Sequence, residues 1–185
     1  MSTTDQALLF LINNLLGLTI YIVLLRFLLQ LAKADFYNPI CQFIVKATHP
    51  LLKPMRSIFP IVKGQDIAAL ILAFLLYALM IALIVLLVYG QYIDPLHLLI
   101  YSLGGVLQSI TTIYLFAIII SAIMSWIPST QGHPMAQLLW QLIEPPVAPV
   151  RKLMPDMGGI DLSPLVVLLL IQLIRIFISP IVPSF

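Results

Sequence analysis

The chain has 185 residues, 62% of them hydrophobic and 9% charged, with a formal net charge of +2 and a mean hydropathy of +1.11. Soluble globules hold roughly half apolar residues, and a chain this apolar has too little polar surface to cover a core in water. A soluble enzyme or nucleic-acid-binding domain is therefore excluded, and an integral membrane protein is indicated, to be read in apolar runs of about 20 residues.

The first run is Ala7 to Leu31. It has no basic residue before it and no small-x-small cleavage site, and it exceeds the apolar length of a secretory signal, so it reads as a retained span. Arg26 is an intramembrane charge toward the far end of that run, where it can snorkel to the interface. A long polar loop follows. Pro39 stands where the first turn of a helix tolerates proline. Gln42, Lys46 and His49 then recur at i, i+4 and i+7 against Ile40, Phe43, Ile44 and Ala47, the pattern of an amphipathic helix. Such a helix lies in the membrane interface or dips in as a re-entrant element packed on the spans. Pro50, Pro54 and Pro60 remove backbone donors, so the helix is expected to break there into a bent return segment. Lys53 and Arg56 lie in that bend as candidate contacts for a lipid headgroup or a partner, since a guanidinium forks onto phosphate or carboxylate. Gly64 and Asp66 precede the second run, Ile67 to Tyr89, with Asp66 at the expected helix N-cap and within reach of pairing with Arg56.

After the short loop Gly90 to Asp94, an apolar piece from Pro95 to Leu103 leads into the third run, Gly105 to Trp126. Gly104 and Gly105 are expected to mark a break between the two, the alternative being a place where another backbone comes close. Asn13, Asn14, Gln108, Ser109, Thr111 and Thr112 are read as groups able to hydrogen-bond between spans near the outer side, glue rather than pore lining. The second long loop repeats the first: Pro134 opens an amphipathic helix with Gln137, Gln141 and Glu144 against Met135, Leu138, Leu139 and Leu142. Pro145, Pro146, Pro149 and Pro155 bend it, and Arg151 and Lys152 are its candidate lipid or partner contacts. Gly159 and Asp161 lead into the fourth run, Leu162 to Val182, with Pro164 tolerated in the first turn. Arg175 lies well inside that run with no acid nearby in sequence. A carboxylate, a backbone carbonyl or an outer-leaflet lipid phosphate must compensate it, unless it serves an ion or substrate pathway.

The two loops coincide in one ungapped register of 95 residues. Pro39 and Pro134, Gln42 and Gln137, Pro50 and Pro145, Pro54 and Pro149, Arg56 and Arg151, Pro60 and Pro155, Gly64 and Gly159, and Asp66 and Asp161 are identical pairs. Proline, glycine and charge matching in a single register indicates a tandem duplication, with units at residues 1–94 and 95–185, each a span, a loop and a span. Two spans per unit bring the second into the membrane in the same orientation as the first, so the repeats are parallel. Lys33, Lys46, Lys53, Arg56, Lys63, Arg151 and Lys152 all fall in the long loops, which by the positive-inside rule are cytoplasmic, with both termini outside.

These residues also carry a resemblance. GGIDLSP at 158–164, the NP of Asn38 and Pro39, the T-x-P of Thr48 to Pro50, and the P-x-R-x-x-x-P frames at Pro54 to Pro60 and Pro149 to Pro155 resemble the duplicated YggT family of small bacterial and chloroplast membrane proteins. The likeness runs over nearly the whole chain. Arg26 matches the family's first-span arginine, whereas its counterpart Ser121 departs from it, as does Ala69 where Pro164 would predict proline. The resemblance implies a bacterial inner-membrane protein with roles in envelope or division-related organisation or in osmotic tolerance, and in chloroplast relatives in cytochrome assembly and nucleoid organisation.

Catalytic chemistry is hard to place. His49, His97 and His133 share no metal spacing, and there is no H-E-x-x-H, no G-x-x-x-x-G-K-[ST] loop, no G-x-S-x-G elbow and no C-x-x-C-H. The single cysteine, Cys41, excludes an intrachain disulfide. The expectation is an all-α membrane protein of four transmembrane helices in two parallel tandem repeats, each with a proline-broken amphipathic cytoplasmic loop helix. It is expected to be non-enzymatic, to use no cofactor or metal, and to act as a scaffold or assembly factor; the alternative is a small channel. Its expected partners are anionic lipid headgroups and a membrane protein or second copy of the chain, with no nucleic acid.

Overall fold

Within hydrocarbon every backbone N–H and C=O must be satisfied inside the chain, and a helix does this locally. The computed structural model describes residues 3–59, 64–127, 132–155 and 161–182, and there the chain is all-helical. In chain order the helices are α1 (Thr3–Leu31), α2 (Pro39–Ile58), α3 (Ile67–Tyr89), α4 (Pro95–Ser125), α5 (Pro134–Leu153) and α6 (Ser163–Ile178), which continues as a 3-10 turn over Ser179–Ile181. Four of them, α1, α3, α4 and α6 with its turn, are long and apolar enough to cross a membrane. The expected bounds of the second span are those of α3, and α1 begins one turn before Ala7.

Two expectations about helix breaks are overturned. The first concerns α4, which runs unbroken through Gly104 and Gly105. A Cβ at Gly105 would run into the Tyr77 ring of α3, and one at Gly104 would meet the Ile181 side chain at 3.0 Å. The glycines are therefore close-packing positions, and the packing they allow outweighs the roughly 1 kcal/mol that glycine costs in a helix. The second concerns the loop prolines. Pro50 and Pro54 lie inside α2, and Pro145, Pro146 and Pro149 lie inside α5. Proline costs about 3 kcal/mol in a helix interior, but both helices have a buried face that holds them together. Cys41, Ile44, Thr48 and Leu52 are buried from α2, and Leu138, Leu139, Leu142, Ile143 and Val147 from α5. Pro155 comes after the end of α5, and Pro60, Lys63 and Gly159 lie outside the described residues.

Local capping sets where these helices start. Asn38 precedes Pro39, and its side chain accepts from the Ile40 N–H at 2.9 Å. His133, 95 residues on, accepts from the Met135 N–H at 3.2 Å through Nδ1. Asp94 caps α4 by accepting from Leu96 and His97. Gly90 ends α3 in the left-handed conformation, φ 64°, which glycine adopts without strain.

The most extensive packing joins α1 to α3, where Ala68, Ala69 and Ala73 are fully buried and let the helices approach. Ile20, Val23, Leu24, Leu52 and Val106 complete that cluster. A second cluster unites the two halves: Leu28, Leu29, Cys41 and Ile44 meet Leu115 and Ile118 of α4, five side chains of α5, and Val167 and Ile171 of α6. Consequently α2 and α5 lie at one end of the bundle, in contact with each other. Burial, with Asp35 nearby, raises the Cys41 thiol above its usual range, so it stays a protonated small apolar group.

Gly105→Ala is expected to displace the Tyr77 ring and the 3.0 Å bond between its hydroxyl and Ser109, lowering stability by about 1–3 kcal/mol. Gly17→Ala, where an added Cβ meets nothing within 4 Å, is expected to be neutral or stabilising by up to about 1 kcal/mol. Thermal unfolding of both variants in detergent checks the contrast.

Candidate functional site

The repeated charges of the two loops converge, within each half, at the point where the loop helix returns the chain to a span. In the first half the centre is Asp66, which has no solvent exposure. Its Oδ2 accepts from Arg56 through Nε at 3.1 Å and through the terminal nitrogen Nη2. Arg26 Nε lies 3.9 Å from the same oxygen. Arg26 does not snorkel: it is 6% exposed and donates to Thr48 Oγ1 at 2.6 Å and to the Val45 carbonyl at 3.1 Å. That carbonyl belongs to the turn just before Pro50, so an arginine of α1 holds α2 where proline loosens it. Asp66 does stand at the N-cap position of α3, yet its side chain makes no capping bond. The sharing of its carboxylate between two guanidiniums is what the buried site requires, because an isolated buried charge is costly.

The second half builds a different cluster from equivalent positions. Asp161 Oδ2 accepts from Arg151 Nε at 2.8 Å, and its Oδ1 accepts from the Ser163 N–H at 2.9 Å. Here the carboxylate pairs and, from the position before the N-cap Leu162, also holds the first N–H of α6. Arg151 also donates to Glu144 at 2.9 Å, and Glu144 occupies the position of His49. The arginine of α1 has no counterpart, since Ser121 stands 95 residues after Arg26. Ser121, Ile143 and Asp161, the counterparts of Arg26, Thr48 and Asp66, all line an apolar cavity of about 620 Å³. The first cluster, two arginines and one acid, is formally +1, and the second, one arginine and two acids, is formally −1. Hydrogen bonding from Ser163, then the pair with Arg151, lowers the Asp161 carboxyl, and the Asp161 bond raises Arg151 further above its usual value.

The halves are tied to one another at the starts of α2 and α5. Asn38 Nδ2 donates to the Pro134 carbonyl at 2.8 Å, and Gln141 Oε1 accepts from the Asp35 N–H at 2.9 Å. Gln42 and Gln137 make equivalent bonds back to the Tyr37 and Gly132 carbonyls. The side-chain tie was not foreseen: Asn38 before proline signals a cap, but nothing local announces that its amide reaches the other half. With Arg56 and Arg151 in internal pairs, Lys53 and Lys152 remain as exposed cations of the same surface. On α2 the expected apolar stripe divides, Ile44 facing the core while Phe43, at 69% exposure, faces outward with Ala47 and Leu51.

At the opposite end of the bundle, Arg175 lines a cavity of about 360 Å³ with Asn13, Tyr21, Tyr77, Gln108, Ser109 and Thr112. Among the described residues its guanidinium has no hydrogen-bond or ion-pair partner. His49 is exposed, His97 lies 3.1 Å from Asp94, and His133 is a cap; among the described residues no three His, Cys, Asp or Glu side chains come together to hold a metal.

A family model described as CCB3/YggT matches residues 5–87 and again 100–182. The chain belongs to the CCB3/YggT family. Both matches begin 95 residues apart, at 5 and 100, and end 95 apart, at 87 and 182, the register of the paired prolines and charges. The protein PA0392 of Pseudomonas aeruginosa is 45% identical over 175 residues, covering 94% of this chain and 89% of that one. A Vibrio alginolyticus protein encoded in the proC 3′ region is 37% identical, covering 94% of each chain. YggT of Escherichia coli K12 is 35% identical over 177 residues, 95% of this chain and 90% of that one. All three are named as uncharacterized proteins. No solved structure matches the chain.

In this YggT-family chain Asp66→Asn leaves two arginines without their carboxylate and is expected to cost about 3–5 kcal/mol. The exposed pair lost in Asp161→Asn is worth about 0–1 kcal/mol. Thermal unfolding in detergent measures both. Because the Asp161 carboxyl is lowered in the folded chain, its contribution is present above the ordinary carboxylate range and is lost as pH falls through the lowered value. The difference in unfolding temperature between wild type and Asp161→Asn is expected to begin shrinking as pH falls below the ordinary carboxylate range, about 4, and to vanish only below the lowered folded value.

Proposed function

We propose that the protein is a non-enzymatic scaffold or assembly factor of the bacterial inner membrane, acting through the paired surface of α2 and α5. In this reading the chain is two parallel units, 1–94 and 95–185, with both loop helices cytoplasmic and both termini outside. The concentration of lysine and arginine in the two long loops supports that orientation.

The observation that carries the reading is the tie between the loop helices, Asn38 to Pro134 and Asp35 to Gln141. It makes one continuous surface of two repeated elements, edged by Lys53 and Lys152 and bearing outward aromatic groups at Phe43 and Trp140. The lysines suit anionic headgroups, and the outward apolar side chains of α2 suit an interfacial rather than a re-entrant position. Helices that are amphipathic, side by side and cross-braced from the spans form a rigid platform, which is what docking of a membrane-protein partner needs.

A photo-crosslinker placed at Ser57 or Lys152 in cells is expected to capture the same identified membrane protein from both positions. Capture of lipid alone, or of a second copy of the chain alone, would overturn the scaffold reading. A transport role in ion or osmotic balance is the second reading, favoured by the polar cavity around Arg175. It predicts K⁺ or anion flux in liposomes holding the purified protein, lost in Arg175→Leu.

A further inference from the structure

Arg175 is the twelfth residue after Ser163, so it lies about 18 Å along α6 from its first residue, inside a segment that crosses hydrocarbon. A guanidinium at that depth is costly unless something of opposite charge meets it. Among the described residues the protein supplies nothing of the kind. The other polar residues lining its cavity are Asn13, Tyr21, Tyr77, Gln108, Ser109 and Thr112, and none is an acid. No side-chain hydrogen bond or ion pair of Arg175 exists among the described residues, and the primary amides of Asn13 and Gln108 likewise have no protein partner there. Ser109 and Tyr77 are bonded to each other at 3.0 Å, and Thr112 donates to the Gln108 carbonyl at 2.8 Å. Three unengaged donor groups from α1, α4 and α6 therefore line one cavity, with a full positive charge at one of them.

We propose that this cavity is a binding site for a phosphate-class oxyanion, held by the Arg175 guanidinium and by the side-chain amides of Asn13 and Gln108. The charge excludes a cation. The planar fork of arginine matches two oxygens of a tetrahedral oxyanion, and about 360 Å³ leaves ample room for phosphate. The same chemistry is presented by the headgroup phosphate of a phospholipid and by free inorganic phosphate. The site is independent of the α2 and α5 surface, at the other end of the bundle, so it stands whether or not that surface docks a partner.

The test uses the full chain purified in an uncharged maltoside detergent, as wild type and Arg175→Gln. If the source is soluble, inorganic phosphate raises the wild-type Tm with the logarithm of its concentration above Kd, by about 5 °C at a concentration roughly a hundred times Kd. Chloride at matched ionic strength does not, and Arg175→Gln abolishes the rise. If the source is lipid, native mass spectrometry of protein taken from membranes finds a phospholipid on the wild type that is absent from Arg175→Gln. Should Arg175→Gln fail to fold, the double variant Asn13→Leu, Gln108→Leu keeps the guanidinium and removes the amides, and it is expected to weaken either signal at least tenfold. Wild-type protein with neither a phosphate-dependent rise nor a retained phospholipid, or variants indistinguishable from wild type, would overturn the proposal.

Discussion

A carboxylate with no access to solvent, shared by two arginines from different helices, is the constraint on which the first half of the molecule depends. Asp66 opens α3, Arg56 ends α2 and Arg26 comes from the far end of α1, so the cluster is possible only when all three helices meet. The cost of an unpaired buried charge makes that meeting close to obligatory. Arg26 then does a second job, bonding Thr48 and the Val45 carbonyl beside Pro50. The proline-weakened helix is thereby fixed by the same group that neutralises the acid. In a membrane, where apolar helices gain little by preferring one another to lipid, such polar contacts do much to set which faces meet.

The duplication preserved the positions and changed the electrostatics. Arg151 and Asp161 keep the pairing, but Ser121 in place of Arg26 and Glu144 in place of His49 turn a closed, positive, buried cluster into an open, negative, exposed one. Space that a long side chain occupies in the first half is an apolar cavity in the second. The halves therefore share one pattern of elements while differing in how the loop helix is held, the first braced by Arg26 from within its spans and the second held mainly by the apolar face of α5. The side-chain ties from Asn38 and Gln141 make the asymmetric pair a single surface.

Much of this was legible in the residues. The ends of α3 follow from an apolar run bounded by Asp66 and Gly90. The sequence offers Arg56 and Arg151 as lipid or partner contacts, with a pairing to the aspartates only compatible with it, and the tertiary structure is what pairs them with Asp66 and Asp161. What was not legible concerns elements whose local and tertiary preferences conflict. Prolines at 50, 54, 145, 146 and 149 argue locally for a break, and Gly104 with Gly105 argues the same. Each is overruled by packing on another helix, and nothing in their own neighbourhood reports that packing. Arg26 failed as a prediction for a related reason: snorkelling is the best option for an arginine facing lipid, and only the tertiary structure shows it facing Thr48 instead.

By itself the sequence determined that the chain is apolar, helical and duplicated, because span length, hydropathy and a constant repeat offset are properties of the chain taken one residue after another. Membership of the spans and the ends of α3 came with it. Tertiary structure decided which helices remain continuous, where Arg26 points, how the two loop helices are joined and that Arg175 is left without a partner among the described residues. These depend on contacts between residues far apart in the chain, such as Asn38 with Pro134 or Gly105 with Tyr77. The free energy of such contacts is set by the shape and polarity of the opposing surface, which no local pattern contains.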